Sequence, residues 1–216
     1  MARLHLIRAG VWTLAMTVLF MLADNLPAAD TAAPKSVLIL GDSLAAGYGI
    51  TREEAFPALL QKKIETAKLP YRIVNGGVSG DTTAGGLRRI DWMLKQPADV
   101  LIVELGGNDG LRGIPPAETK KNLQGIIDKA KQKYPQIRII VAGMQMPPNM
   151  GEDYTKAFAE VFPSIAQANK ATLIPFLLEG VGGQADLNQP DGIHPTPKGH
   201  QVVAENVWKV LEPVLK

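Results

Sequence analysis

Ser36-Val37-Leu38-Ile39-Leu40-Gly41-Asp42-Ser43-Leu44 is the stretch that decides the class of this chain. Its apolar run reads as a β-strand, and at the carboxyl end of that strand stands a serine in a tight Gly-Asp-Ser turn. Far along the chain, Asp191-Gly192-Ile193-His194 places a carboxylate three residues before a histidine. A serine hydroxyl, an imidazole and a carboxylate are a nucleophile, a base and an orienting group. Gly-Asp-Ser alone is weak, because short polar side chains serve turns and helix caps equally well. The blocks between the two stretches carry the decision.

From Lys35 onward, short apolar runs alternate with amphipathic segments. The spacing predicts strands at 37–40, 71–74, 100–105, 137–142 and 171–176. It predicts helices over 53–67, 82–94, 117–134, 153–170 (interrupted near Pro163) and 196–214. Phe56, Leu59, Leu60 and Ile64 fall on one face of the first helix. Residues 100–105 are apolar except for Glu104, as a parallel strand covered on both faces should be. Thr196 suits a helix cap and Pro197 a first turn. Strands alternating with helices through short connections imply a three-layer α/β/α sandwich around a five-stranded parallel sheet, flavodoxin-like in architecture. In such sheets ligands bind beyond the carboxyl ends of the strands.

Bulk properties narrow the chemistry. The 216 residues suit one folded domain, over 35–216, and 46% hydrophobic with 20% charged residues is a globular balance. A net charge of +2 without clustering gives no nucleic-acid footprint. Cysteine is absent, which removes thiol nucleophiles, thiolate metal sites and disulfides together. The histidines are His5, His194 and His200, with no spacing that suits a metal. Arg3 and Arg8 precede an uncharged apolar stretch from Ala9 to Ala23, and small residues follow from Pro27 to Ala33. This reads as a signal peptide over residues 1–29, cleaved after Ala29 or Ala33, with a periplasmic or secreted product. An uncleaved amino-terminal anchor is the alternative reading.

Four blocks fall at strand ends. Ser43 follows the first strand and precedes the glycine-rich Ala45-Ala46-Gly47-Tyr48-Gly49. Asn75-Gly76-Gly77-Val78-Ser79-Gly80-Asp81-Thr82 follows the second. The Gly80 N–H there could face an oxyanion with no Cβ in the way. Gly106-Gly107-Asn108-Asp109 follows the third, where an Asx-turn is the bland reading and an amide donor the functional one. His194 sits in a loop beside Asp191, whereas His200 falls within the last helix without a carboxylate partner in sequence reach.

These four blocks, in this order, resemble the SGNH (GDSL-type) hydrolase family, named for its Ser, Gly, Asn and His. The similarity runs from about Lys35 to the end. Val103-Glu104-Leu105-Gly106-Gly107-Asn108-Asp109-Gly110-Leu111-Arg112-Gly113 is similar to the signature of the secreted bacterial arylesterase and thioesterase I/lysophospholipase subgroup. The resemblance implies a serine esterase with the triad Ser43, Asp191 and His194. It also implies an oxyanion hole built from the N–H groups of Ser43 and Gly80 and the Asn108 amide. No metal or organic cofactor is implied, and the expected partner is a small ester or acyl substrate. A monomer without nucleic-acid or stable membrane partners is expected. Leu111, Ile114, Met144 and Met146 are candidates to line the acyl site, although each also suits plain core packing. Gly180, Gly182 and Gly183 depart from the subgroup, whose loop looks bulkier there, and this puts the preferred substrate in doubt. The rival readings are a carbohydrate acetylesterase of the same superfamily and a non-catalytic flavodoxin-like module. Gly41 to Gly49 lacks the Lys or Thr spacing of a phosphate loop.

Overall fold

A computed structural model describes residues 34–216. The signal peptide expected over residues 1–29, and both expected cleavage points, lie outside the described residues. Five parallel strands form one sheet: β1 (Lys35–Gly41), β2 (Tyr71–Gly77), β3 (Val100–Glu104), β4 (Arg138–Ala142) and β5 (Thr172–Ile174). Their order across the sheet is β2-β1-β3-β4-β5. The helices are α1 (Ser43–Ala46), α2 (Phe56–Thr66), α3 (Thr83–Met93), α4 (Gly107–Leu111) and α5 (Pro116–Lys133). They continue with α6 (Glu152–Ala159), α7 (Val161–Asn169) and α8 (Pro197–Leu215).

Helices flank the sheet, with α2 packed on α8 and α5 packed between α3 and α7. Burial follows from this. All five residues of β3 and Val37 to Leu40 of β1 are buried, as strands covered on both faces must be. Phe158 and Phe162 meet edge to face at 5.4 Å beside β4. Because β1 lies between β2 and β3, the chain departs to opposite sides of it. That leaves a crevice beyond the carboxyl ends of the central strands. The fold is the three-layer α/β/α arrangement with five parallel strands that the residue pattern implies.

The differences from expectation have local causes. The second strand runs three residues past the expected Val74, to Gly77, because Asn75, Gly76 and Gly77 pair with Ile39, Leu40 and Gly41. Glycine is required there. A Cβ on Gly77 would stand 2.3 Å from the Ala46 backbone nitrogen, since α1 lies directly against the strand. The first long helix starts at Phe56 rather than Glu53. Glu54 instead accepts hydrogen bonds from the Thr51 N–H and hydroxyl, which closes a turn before the helix. The expected interruption near Pro163 occurs at Glu160, where α6 gives way to α7. The fifth strand contracts to Thr172–Ile174, ending where Pro175 cannot donate to a ladder. Thr196 caps α8 as expected, its hydroxyl accepting from the Gly199 N–H at 3.2 Å.

Gly77→Ala is expected to destabilise the fold by about 2 kcal/mol or more, since backbone rather than a side-chain tip occupies the space. The check is urea unfolding; an unchanged midpoint would mean that α1 does not bear on β2.

Candidate active site

Strand β1 ends at Gly41, and the chain turns at once into α1. Asp42 caps that short helix, its Oδ1 accepting from the Leu44 N–H at 3.0 Å. Gly47, in the left-handed region, closes it by donating its N–H to the Ser43 carbonyl. The turn is tight because its first residue lacks a side chain: a Cβ on Gly41 would lie 2.4 Å from Glu104 Oε2 and 2.5 Å from the Ala45 Cβ. Ser43 is thereby held at the sheet edge, 8% exposed.

The loop before α8 brings His194 to it. His194 Nε2 lies 2.9 Å from Ser43 Oγ, and His194 Nδ1 lies 2.6 Å from Asp191 Oδ2. Asp191 is fixed by its own turn, its Oδ1 accepting from the N–H groups of Ile193 at 2.9 Å and His194 at 3.0 Å. The His194 N–H, with the other hydrogen bonds, holds the Asp191 carboxyl down at about 2. An ionised Asp191 facing Nδ1 requires the proton there, so Nε2 is left as an acceptor for the Ser43 hydroxyl. Gln189 ties the loop to the serine side: its Nε2 donates to the Tyr48 carbonyl at 2.7 Å and the Pro195 carbonyl at 3.0 Å.

Two further blocks converge on the same edge. Gly80 adopts φ +79°, a conformation that favours glycine, and its carbonyl accepts from Arg112 at 2.9 Å. Asn108 lies in α4, and its Nδ2 donates to Asp42 Oδ2 at 3.1 Å. Among the described residues, no acceptor takes the N–H of Ser43 or of Gly80. Arg89 of α3 joins the Gly80 loop to the serine turn. Its Nε pairs with Asp81 at 2.7 Å, and its Nη2 donates to the Gly41 carbonyl at 2.8 Å. Asp109, fully buried, anchors α4 by accepting from the Thr83 N–H at 2.8 Å and from the Thr83 hydroxyl.

Ser43, Asp191 and His194 are thus brought into hydrogen-bonded contact, with Asn108 joined to the serine turn through Asp42 and the Gly80 loop joined to it through Asp81 and Arg89. The apolar candidates divide. Leu111 is exposed and Ile114 half-buried in the segment after Asn108, and half-buried Met146 packs over Gly110. Met144 needs correction. It is only 3% exposed within the hydrophobic core, so it presents no surface to a ligand. Tyr48 escaped sequence reasoning; its ring lies 4.6 Å from that of His194 and is half exposed. Its place in the glycine-rich turn was the available signal. Asp42, Arg89 and Gln189 carried no signal beyond their types. A cavity of about 460 Å³ lies at the opposite end of the sheet, bordered by Lys35, Asp99, Tyr134 and Arg138, and none of the residues above lines it. Among the described residues, no three His, Asp or Glu side chains group as metal ligands would.

His200 stands apart from this cluster. It is buried on α8, where its Nδ1 accepts the Phe56 N–H at 3.2 Å and so caps α2. Burial, with the nearby His194, lowers its pKa to about 4.

Residues 39–202 match the model of the GDSL-like lipase/acylhydrolase family. The chain belongs to that family. It is 43% identical over 185 residues to esterase TesA of Pseudomonas aeruginosa, covering 85% of this chain and 91% of that one. It is 38% identical over 206 residues to thioesterase 1/protease 1/lysophospholipase L1 of Escherichia coli (strain K12), covering 94% of each. Its fold is similar to the crystal structure of the psychrotrophic esterase EstA from Pseudoalteromonas sp., inhibited by monoethylphosphonate. The TM-score is 0.79 at 33% identity, with 84% of this chain and 98% of that chain covered.

A histidine whose pKa is lowered on folding leaves the unfolded chain as the better proton binder below the ordinary value of 6.5. Stability is therefore full above about 6.5 and is lost as pH falls toward about 4. The loss attributable to His200 is on the order of 3 kcal/mol. His200→Gln, which keeps an acceptor but cannot charge, is expected to flatten the pH dependence of the urea midpoint over that window. An unchanged slope would show that another group carries it.

Proposed function

We propose that this chain is an exported serine esterase that hydrolyses carboxylic esters and thioesters through an acyl-enzyme on Ser43. The observation that carries this reading is the continuous relay from Ser43 Oγ to His194 Nε2 at 2.9 Å and from His194 Nδ1 to Asp191 Oδ2 at 2.6 Å. Ester hydrolysis agrees with the family, and the relatives are named as esterases and as a thioesterase and lysophospholipase.

Each step uses groups already in place. Ser43 Oγ attacks the acyl carbon as its proton passes to His194 Nε2. Asp191 remains ionised, keeps the imidazole in the productive tautomer and stabilises the imidazolium. The carbonyl oxygen becomes an oxyanion, facing the N–H groups of Ser43 and Gly80 and the second N–H of the Asn108 amide, whose first is given to Asp42. Collapse breaks the bond to the leaving oxygen or sulfur, which takes the Nε2 proton. Water then repeats the sequence and releases the acid. No step calls on a cofactor, and the substrate is a small molecule bound by a monomer.

Tyr48, Val78, Leu111 and Ile193 are all exposed large apolar side chains on segments that carry the site. They favour an acyl or aryl group over a hydrated sugar, and so an esterase or thioesterase over a carbohydrate acetylesterase. The relay argues against a non-catalytic module, which would have no use for a serine held against a base. Export is inferred from residues 1–29, and no described helix is long and apolar enough to cross a membrane.

Ser43→Ala is expected to lower turnover of p-nitrophenyl acetate by several orders of magnitude with the circular dichroism unchanged. An alkyl phosphonate should add to Ser43 in the parent chain and to no residue in the variant. Retained activity or retained labelling in the variant places the nucleophile elsewhere. A series of p-nitrophenyl esters should favour acyl groups longer than acetyl, whereas a sharp preference for acetyl would support the carbohydrate reading. Amino-terminal sequencing of the exported protein should begin at Asp30 or Pro34; a product that still starts at Met1 would mean an anchor.

A further inference from the structure

Glu104 ends β3 directly beneath the serine turn, fully buried, and the steps above give it no task. Its Oε2 accepts the Asp42 N–H at 3.2 Å. Among the described residues, its Oε1 has no hydrogen-bond partner. Asp42 is almost as buried, and both of its oxygens already act as acceptors, from the Leu44 N–H and from Asn108. The Asp42 N–H on Glu104 Oε2 sets the two buried residues side by side beneath the serine turn.

Two adjacent, buried carboxylates resist being ionised together, and an acceptor oxygen buried without a donor carries its full desolvation penalty. A single proton on Glu104 Oε1 removes both difficulties. It turns the orphan acceptor into a donor for the neighbouring Asp42 carboxylate. The alternative places the proton on Asp42. That weakens Asp42 as an acceptor from Leu44 and Asn108 and leaves Glu104 charged with no cation against it.

We propose that Glu104 is a positioning residue: its neutral carboxyl donates the Oε1 proton to Asp42 and so fixes the carboxylate that caps the serine turn and aims the Asn108 amide.

The electrostatics of the surroundings agree. Burial, with the Asp42 charge added to it, pushes the Glu104 carboxyl well above the usual carboxylate range. Burial also pushes Asp42 up to about 6, although the Leu44 N–H, the Asn108 amide and His194 pull it down and Asp81 pushes it further up. The groups facing the pair are therefore Asp81 from the loop after β2, Arg89 from α3 through the Gly41 carbonyl, and His194 from the loop before α8. A carboxyl whose pKa is raised on folding contributes stability that is full below its unfolded value and is lost as pH rises through its folded value. Loss of the Glu104 proton as pH rises past its raised value puts a second negative charge under the turn. Turnover number should fall there, and stability should decline over the approach to it.

The kinetic consequences rest on Ser43 being the nucleophile, as proposed above; the proton itself does not. The first measurement is accordingly made on Ser43→Ala, which needs no activity. Its infrared spectrum at pH 7 should contain a carboxylic-acid C=O band that disappears when Glu104→Gln is added. Glu104→Gln can still donate to Asp42 and accept the Asp42 N–H, but it cannot ionise. In the active enzyme, Glu104→Ala should lower kcat about 100-fold with KM little changed. Glu104→Gln should restore most of that loss and abolish the fall of both kcat and urea midpoint with rising pH. Absence of the acid band, or a Glu104→Gln enzyme as impaired as Glu104→Ala, would overturn the proposal. If Ser43→Ala stays active while the band is present, the nucleophile assignment fails and the protonated Glu104 stands.

Discussion

The constraint on which the rest of this structure depends is a single row of residues across the sheet. Parallel pairing sets Gly77 of β2 opposite Gly41 of β1, and Gly41 opposite Glu104 of β3. That row is the last common rung of the three strands, and Ser43, Gly80 and Asn108 stand two to four residues beyond it. Two glycines in the row let α1 lie down on the sheet, so Ser43 is presented at its edge rather than lifted away from it. Val37 to Leu40 are apolar toward both layers, so the glycines of this row, rather than the apolar pattern, tie the register to the placement of the serine.

The histidine side of the site is built by a different route, from local hydrogen bonds instead of the sheet. Asp191 receives two backbone N–H groups from its own turn, and an isolated bridge between Asn188 and Pro195 closes the base of the loop. His194 reaches Ser43 across 151 residues of sequence, whereas Asp191 and His194 are three residues apart and bonded within one turn. The two halves are then joined by Gln189 and by the face of Tyr48. Side chains that would each lose rotamer freedom if they met in solution are held by backbone turns, which lowers the entropy of assembling the site.

Much of this was legible in the sequence, and the exceptions are instructive. The alternation of apolar runs with amphipathic segments suffices for five strands in a doubly covered sheet, because period and continuity report burial directly. Ser43, Asp191 and His194 stand out because so few histidines are present and because spacing within a turn is local information. Gly76 and Gly77 read as a turn, since glycine is poor in strands by intrinsic preference; only the approach of α1 reverses that. Gly106-Gly107-Asn108-Asp109 reads as a loop yet opens a short helix, held by Asp109 against Thr83 from a different element. The Asp42–Asn108 and Phe56–His200 contacts join residues 66 and 144 apart, and no local pattern encodes such partners. Met144 illustrates the converse: a flexible apolar residue after a strand suits core and cleft alike, and here the core takes it.

The exposed rim of the site has a consequence for how this framework can change. Tyr48, Val78 and Ile193 each turn a large apolar side chain outward, while the backbone N–H of the same residue donates to the Ser43 carbonyl, the Gly41 carbonyl and Asp191 Oδ1 respectively. The main chain at these positions supports the groups proposed to react, and the side chain faces whatever approaches them. The two roles are carried by chemically separate parts of one residue. Replacing the side chain leaves the supporting hydrogen bond available, provided that the new residue accepts the same backbone conformation. Selectivity can therefore drift by substitution at three independent loops without each step having to rebuild the reactive geometry. A scaffold so divided is suited to divergence: related chains can share one reactive centre and differ in the molecules they admit to it.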